Sequence, residues 1–191
     1  TKDKLEAMVD RDERQIQSLI RLIEDMLDVS RIRTGKLSIR PSEFDLSQLV
    51  ANLLEVFSPQ ISAAQASISF SAAQPVVGQG DDFRIEQVIS NLLTNALRYG
   101  AQKPIDVAVY SEEGYAVVQV RDQGIGISQE NQQRIFQQFE RVSGSHVVSG
   151  LGLGLFISEQ IVAAHSGKIE VHSELGEGAL FKVCLPLVQK T

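Results

Sequence analysis

"SGLGLGLFISEQIVAAHSG", residues 149–167, sets glycines at 150, 152 and 154 directly before a stretch with the spacing of an amphipathic helix. Glycine lets backbone N–H groups approach an anion closely, and a helix N-terminus adds unpaired donors with a partial positive charge. One reading is a phosphate seat; the other is a plain flexible loop. No Lys-Ser/Thr pair follows, so the stretch is not a P-loop. It also lacks the spacing and the preceding buried strand of a dinucleotide fingerprint.

Composition narrows what surrounds this loop. The 191 residues are 43% hydrophobic and 22% charged, enough for a real core in one or two soluble units. A formal net charge of -6 disfavours nucleic acid or an anionic membrane as partner, and points to a small ligand or a protein. The single Cys184 forbids an internal disulfide, and no apolar run reaches membrane-span length. A cytoplasmic setting is the expectation. Because Thr1 already lies in a helical pattern, a piece of a longer chain is expected too.

From Lys4 to Arg33 there is no Pro or Gly, and Val9, Ile16, Leu19, Ile20, Ile23, Met26 and Leu27 recur at spacings of three, four and seven. This predicts one long helix with a single apolar stripe, suited to a bundle or coiled coil. "RTGKLSIRPSEFD" supplies a stop at Gly35, a short strand and a turn at Pro41, so a boundary divides residues 1–36 from 37–191. Beyond it, helices are expected over 45–64, 81–99 and 129–136 and after the glycines. Strands are expected at 67–70, near Val76, at 105–110 and 115–122, and in a closing hairpin of "KIEVHSE" with "ALFKVCLPL". The fold class is α+β, a two-layer sandwich of a mixed sheet with helices on one face.

Two further stretches carry chemistry. In "VRDQGIGI", residues 120–127, Asp122 shares a strand face with Ala116, Val118 and Val120, so its carboxylate ends an apolar row. Either it caps the turn at Gly124 and Gly126, or it accepts an amino group from a base buried between the layers. In "DDFRIEQVISNLLTNALRYG", residues 81–100, the core face is Ile85, Val88, Ile89, Leu92 and Ala96, while Asn91, Asn95, Arg98 and Tyr99 form a neighbouring stripe. Asn is a poor helix former, and its carbonyl oxygen suits magnesium when phosphates and water complete the shell. An ordinary half-exposed helix face is the alternative.

"NLLTNALRYG", "DQGIGI", "IFQQFERV", "GLGLGL" and "GEGALF" occur in this order and resemble the N box, glycine boxes and F box of bacterial sensor histidine kinases. "RLIEDMLDVSRIRTGKL" resembles the second helix of the dimerisation domain that precedes them. The resemblance implies a Bergerat (GHKL) ATPase fold behind a bundle helix, binding ATP and Mg²⁺. It implies Asn95 as magnesium ligand, Asn91 as an adjoining polar contact, and Arg98 and Tyr99 as phosphate and nucleoside contacts. Asp122 would take the adenine amino group, with Gly124, Gly126 and Ile127 shaping the base pocket. Phe136 and Phe139 would anchor a lid that Gly150, Leu151, Gly152, Leu153 and Gly154 let close on the phosphates. Arg141 is a candidate γ-phosphate contact, or else a surface residue.

Two departures stand out. Ala179 replaces the hydroxyl residue usual in the closing glycine box. The family's phosphoacceptor His, followed by an acidic residue and Arg-Thr-Pro, is also missing from this sequence. His146 falls in the lid loop, and His172 on a polar strand face. His165 ends a helix, where the dipole favours a cation. The implied function is γ-phosphoryl donation to a His outside the sequence. The implied partners are a second copy through the N-terminal helix and a response regulator receiver domain. The parent protein could carry a membrane anchor elsewhere. A gyrase-like, HSP90-like or MutL-like GHKL ATPase and a non-catalytic nucleotide-binding module are the alternatives. The ATPases place a Glu, as base for water, where this chain has Asn91.

Overall fold

The computed structural model describes residues 2–140 and 151–187. The chain divides into two compact units, Thr1–Leu37 and Ser38–Thr191.

The first unit is a single helix, α1 (Lys2–Arg33). It ends as its sequence requires. Gly35 takes a φ of +64°, donating its N–H to Ile32 O at 3.0 Å, while Lys36 donates to Arg31 O at 2.8 Å. That pair of bonds is a Schellman stop, in which glycine occupies the left-handed position without a Cβ penalty. Ile16, Leu19, Ile20, Ile23, Met26 and Leu27 are all exposed along the helix.

The second unit begins with β1 (Ser42–Asp45), α2 (Leu46–Ala63), β2 (Ile68–Ala72), β3 (Val77–Gly80) and α3 (Asp82–Tyr99). It continues with β4 (Ile105–Glu112), β5 (Tyr115–Arg121), α4 (Gln129–Arg134), α5 (Gly154–Ala164), β6 (Lys168–Glu174) and β7 (Gly178–Pro186). Five strands form one sheet in the order β2-β4-β5-β7-β6, with β2 and β4 parallel and every other neighbouring pair antiparallel. β1 and β3 make a separate antiparallel pair. The short strand expected before Pro41 instead follows it. Proline donates no N–H to a ladder, and residues beyond it are free to pair with β3.

The core lies between the sheet and its helices. Ile105, Val107 and Val109 alternate inward from β4, as do Ala116, Val118 and Val120 from β5 and Phe181, Val183 and Leu185 from β7. Against them lie Leu46, Val50, Leu53 and Phe57 of α2, Ile85, Val88, Ile89, Leu92 and Ala96 of α3, and Ile157, Ile161 and Val162 of α5. The opposite sheet face is polar, as the Lys182–Glu112 and Lys168–Glu170 ion pairs attest. This is the two-layer α+β sandwich with helices on one face. No helix among the described residues is long and apolar enough to cross a membrane.

Candidate functional site

α3 and α5 lie side by side, and Asn91 fastens them. Its Nδ2 donates to Gly154 O at 3.2 Å and to Ser158 Oγ at 3.3 Å. A Cβ on Gly154 would stand 3.4 Å from the Asn91 carboxamide, an ordinary packing distance, so the start of α5 rests directly on Asn91. Asn95, one turn further along α3, is half-buried, and no hydrogen bond engages its amide among the described residues.

The N-cap position of α5 is Leu153, which contributes no side-chain hydrogen bond, so the first N–H groups of the helix have no intrahelical partner and no side-chain cap among the described residues. Gly152 takes a φ of +70°, and its carbonyl accepts the N–H of Phe139 at 3.0 Å. Phe139 grips this loop by backbone, since its own φ is +64° and its ring is 60% exposed. Phe136 is half-buried. Arg141, His146 and Gly150 lie outside the described residues.

Asp122 sits just past the end of β5, at 6% exposure. Its Oδ1 accepts the Gly124 N–H at 2.8 Å, and its own N–H donates to Ala179 O at 2.9 Å. The turn-cap reading of this carboxylate therefore holds for one oxygen. The other has no hydrogen-bond partner among the described residues. Burial pushes the carboxyl pKa up, and the backbone hydrogen bonds offset this in part.

The loop after Asp122 is pressed onto the end of α3. Tyr99 O accepts the Ile125 N–H at 3.3 Å, and a side chain on Gly124 would run into that same carbonyl. Tyr99 therefore contributes its backbone here, while Arg98 in the last turn is exposed. Gly126, at φ +68°, backs onto Glu174 O with no room for a Cβ. Ile127 then donates its N–H to Ser173 Oγ at 2.8 Å. In this way α3 touches both the start of α5, through Asn91, and the Asp122 loop, through Tyr99, and that loop in turn rests on the β6–β7 hairpin.

Chemically, this arrangement offers a helix N-terminus for an anion, an exposed cation at Arg98, one carboxylate oxygen of the largely buried Asp122 that no side chain or backbone group among the described residues engages, and one unengaged amide. Among the described residues no group of three or more His, Cys, Asp or Glu could hold a metal. A hard cation here would be bound through a single amide oxygen with ligand phosphates and water, a donor set that fits Mg²⁺ and suits no thiophilic metal.

His165 has a structural role. Nδ1 lies 2.8 Å from Ile161 O, and Nε2 accepts the Asp81 N–H at 2.9 Å, with the residue only 2% exposed. A nitrogen that accepts a backbone N–H carries no proton, so this ring is the Nδ1–H tautomer. His172 is exposed on β6, as its strand face implies.

Sequence reasoning missed Ser158, Ser173, Gln132 and the pairing of His165 with Asp81. Only Ser173 was within reach. Counting back across the hairpin turn places it opposite Ala179, which is the observed register.

Comparison with known proteins agrees with this geometry. Residues 80–189 match the family described as "Histidine kinase-, DNA gyrase B-, and HSP90-like ATPase". Circadian input-output histidine kinase CikA of Synechococcus elongatus is 33% identical over 176 residues, covering 89% of this chain and 23% of the relative. Sensor histidine kinase RppB of a Synechocystis species is 34% identical over 188 residues, covering 96% and 41%. The chain thus spans less than half the length of these relatives. Full-length ShkA, solved in complex with AMPPNP, superposes with a TM-score of 0.81 at 25% identity, covering 91% of this chain and 37% of that one. The matched residues begin at the glycine before α3 and run past β7, so they contain α3, the Asp122 loop, α5 and the β6–β7 hairpin, and the chain belongs to this ATPase family as a histidine kinase-type catalytic domain homologous to sensor histidine kinases.

Proposed function

We propose that this chain is the ATP-binding, phosphoryl-donating part of a two-component sensor kinase, acting on a His that lies outside the sequence. The observation that carries this reading is the largely buried Asp122, one of whose carboxylate oxygens caps the Gly124 turn while the other is left to a ligand. Adenine donates its amino group to Asp122, and the triphosphate runs toward the α5 N–H groups and Arg98. That ShkA, which shares this fold, was solved in complex with AMPPNP supports nucleotide binding by the domain.

Asn95 would hold Mg²⁺ through its amide oxygen, and the ion would supply the charge neutralisation that phosphoryl transfer needs more than any covalent participation by the protein. The bond from the γ-phosphorus to the β–γ bridging oxygen breaks, an N–P bond forms at the acceptor imidazole, and ADP leaves. Water is a poor competitor. Asn91 cannot take a proton, and its Nδ2 is already committed to Gly154 O and Ser158 Oγ.

α1 supplies the contact with a second copy, and a receiver domain takes the phosphoryl group onward. ATP supply places the domain in the cytoplasm. The test is γ-labelled ATP. Alone, the chain binds nucleotide, acquires no acid-labile phosphohistidine and releases phosphate slowly. A segment carrying the acceptor His, added in trans or fused, becomes labelled, fusion working better because effective molarity is restored. Label on His146, His165 or His172, or brisk phosphate release, overturns the reading.

A further inference from the structure

Gln132, on the short helix α4, reaches two strands' worth of backbone at once. Its Nε2 donates to Ile127 O at 3.1 Å and to Ser173 O at 2.7 Å. Two carbonyl acceptors fix the carboxamide orientation, because only the NH₂ end has two protons to give. Ser173 completes the arrangement by accepting the Ile127 N–H at 2.8 Å and donating its own hydroxyl proton to Gly178 O at 2.5 Å. Both polar groups of Ile127 are therefore held, one by each side chain.

The bonds lead back to Asp122. Gly178, at φ +83°, packs its α-carbon so closely on the Asp122 and Gln123 backbone that no side chain fits. Asp122 donates its N–H to Ala179 O, the next residue along, and Gly176 donates to Ile125 O at 2.8 Å. The Asp122–Ile127 loop is thus laid on the β6–β7 hairpin at both ends. Among the described residues, Gln132 is the side chain from outside loop and hairpin that bridges the two. Ala179, opposite Ser173, carries no hydroxyl to share that task.

We propose that Gln132 is a positioning residue for nucleotide-base selectivity: it locks the Asp122–Ile127 loop to the hairpin and so holds the free Asp122 oxygen where an exocyclic amino group, and not a carbonyl, is accepted. This rests on the reading of Asp122 as the adenine acceptor. A residue that acts through the base pocket alters affinity for every adenine nucleotide equally, whatever the phosphate count. One that merely stabilises α4 lowers melting temperature without changing the ratio of ATP to GTP affinity.

The experiment is titration calorimetry of ATP, ADP and GTP on the full chain and on Gln132→Leu and Gln132→Met, both good helix formers without a donor, with the exposed Gln133→Leu as control. Expected is a loss of about tenfold for ATP and ADP alike, little change for GTP, and Gln133→Leu unchanged. An unchanged ATP to GTP ratio in folded Gln132 variants overturns the proposal while leaving the nucleotide site intact. Equal ATP and GTP affinity in the unaltered chain overturns the Asp122 reading beneath it. Should neither variant fold, the side-chain NH₂ resonances of Gln132 in the unaltered chain decide. A shift on adding ADP, absent at Gln133, supports the proposal, and no shift overturns it.

Discussion

The ring of His165 accepts the backbone N–H of Asp81 at 2.9 Å, joining the end of α5 to the N-cap of α3. Asp81 is in turn the acceptor for Arg84 N–H at 3.1 Å and Arg40 N–H at 2.9 Å, so one buried residue organises the start of the helix that carries the asparagines. Replacing His165 with Phe leaves the Asp81 N–H without a partner in a dry position. The expected cost is about 1–3 kcal/mol, read from chemical denaturation. Gly80→Ala presses on the same junction, since its Cβ would lie 2.9 Å from Ile85 Cδ1 and 3.0 Å from the His165 ring. It should destabilise by roughly 1–3 kcal/mol by overpacking.

Asp122 gives two opposed pH trends. Burial raises its pKa in the folded state, so its contribution to stability is fully present below the unfolded pKa and is lost as pH rises through the folded one. Adenine binding runs the other way. The acceptor must be ionised, so ATP affinity falls as pH drops through the raised value. Calorimetry as pH falls through the raised pKa should show ATP weakening where the protein is gaining stability, and Asp122→Asn should remove both trends. At neutral pH, ATP should be preferred over GTP by about thirtyfold, because guanine presents a carbonyl to this carboxylate.

Asn95→Ala should weaken ATP binding chiefly when Mg²⁺ is present. Titrations with and without the ion separate the two contributions. An equal loss in both would remove Asn95 from the metal.

Asn91→Asp tests whether an acid at this position creates an ATPase. The structure argues that it loosens the site instead, because a carboxylate would face Gly154 O where an NH₂ group now donates. A destabilisation of about 1–3 kcal/mol is expected, with no rise in phosphate release. Denaturation and a phosphate-release assay on one preparation check both statements.

The apolar stripe of α1 should drive self-association. Ile23 is 50% exposed, with Ile16, Leu19, Ile20, Met26 and Leu27 exposed beside it. A seam of this length in water favours a second copy. Ile23→Glu should shift sedimentation velocity toward monomer.

The sequence by itself determined the elements and the candidate site. The three- and four-residue spacing from Ile85 to Ala96 made α3 legible, because a helix repeats its buried face every 3.6 residues, and period-two alternation did the same for β4 and β7. Gly35 announced the stop of α1 for a local reason, the left-handed turn that only glycine adopts freely. The order of the glycine and asparagine boxes pointed to the ATPase family that the comparison with known proteins shows, and marked out a candidate nucleotide site. What the tertiary structure alone decided are the partners of polar groups distant along the chain. Asp81 and His165 are 84 residues apart, Asn91 and Gly154 63, and Gln132 and Ser173 41. A hydrogen bond of this kind leaves no periodic trace, since either residue would read the same in solvent. Its existence depends on two elements meeting at an angle and distance set by their apolar faces. The same holds for His165. The helix dipole at its position is a local feature legible in sequence, whereas the Asp81 N–H that its buried ring accepts comes from another element.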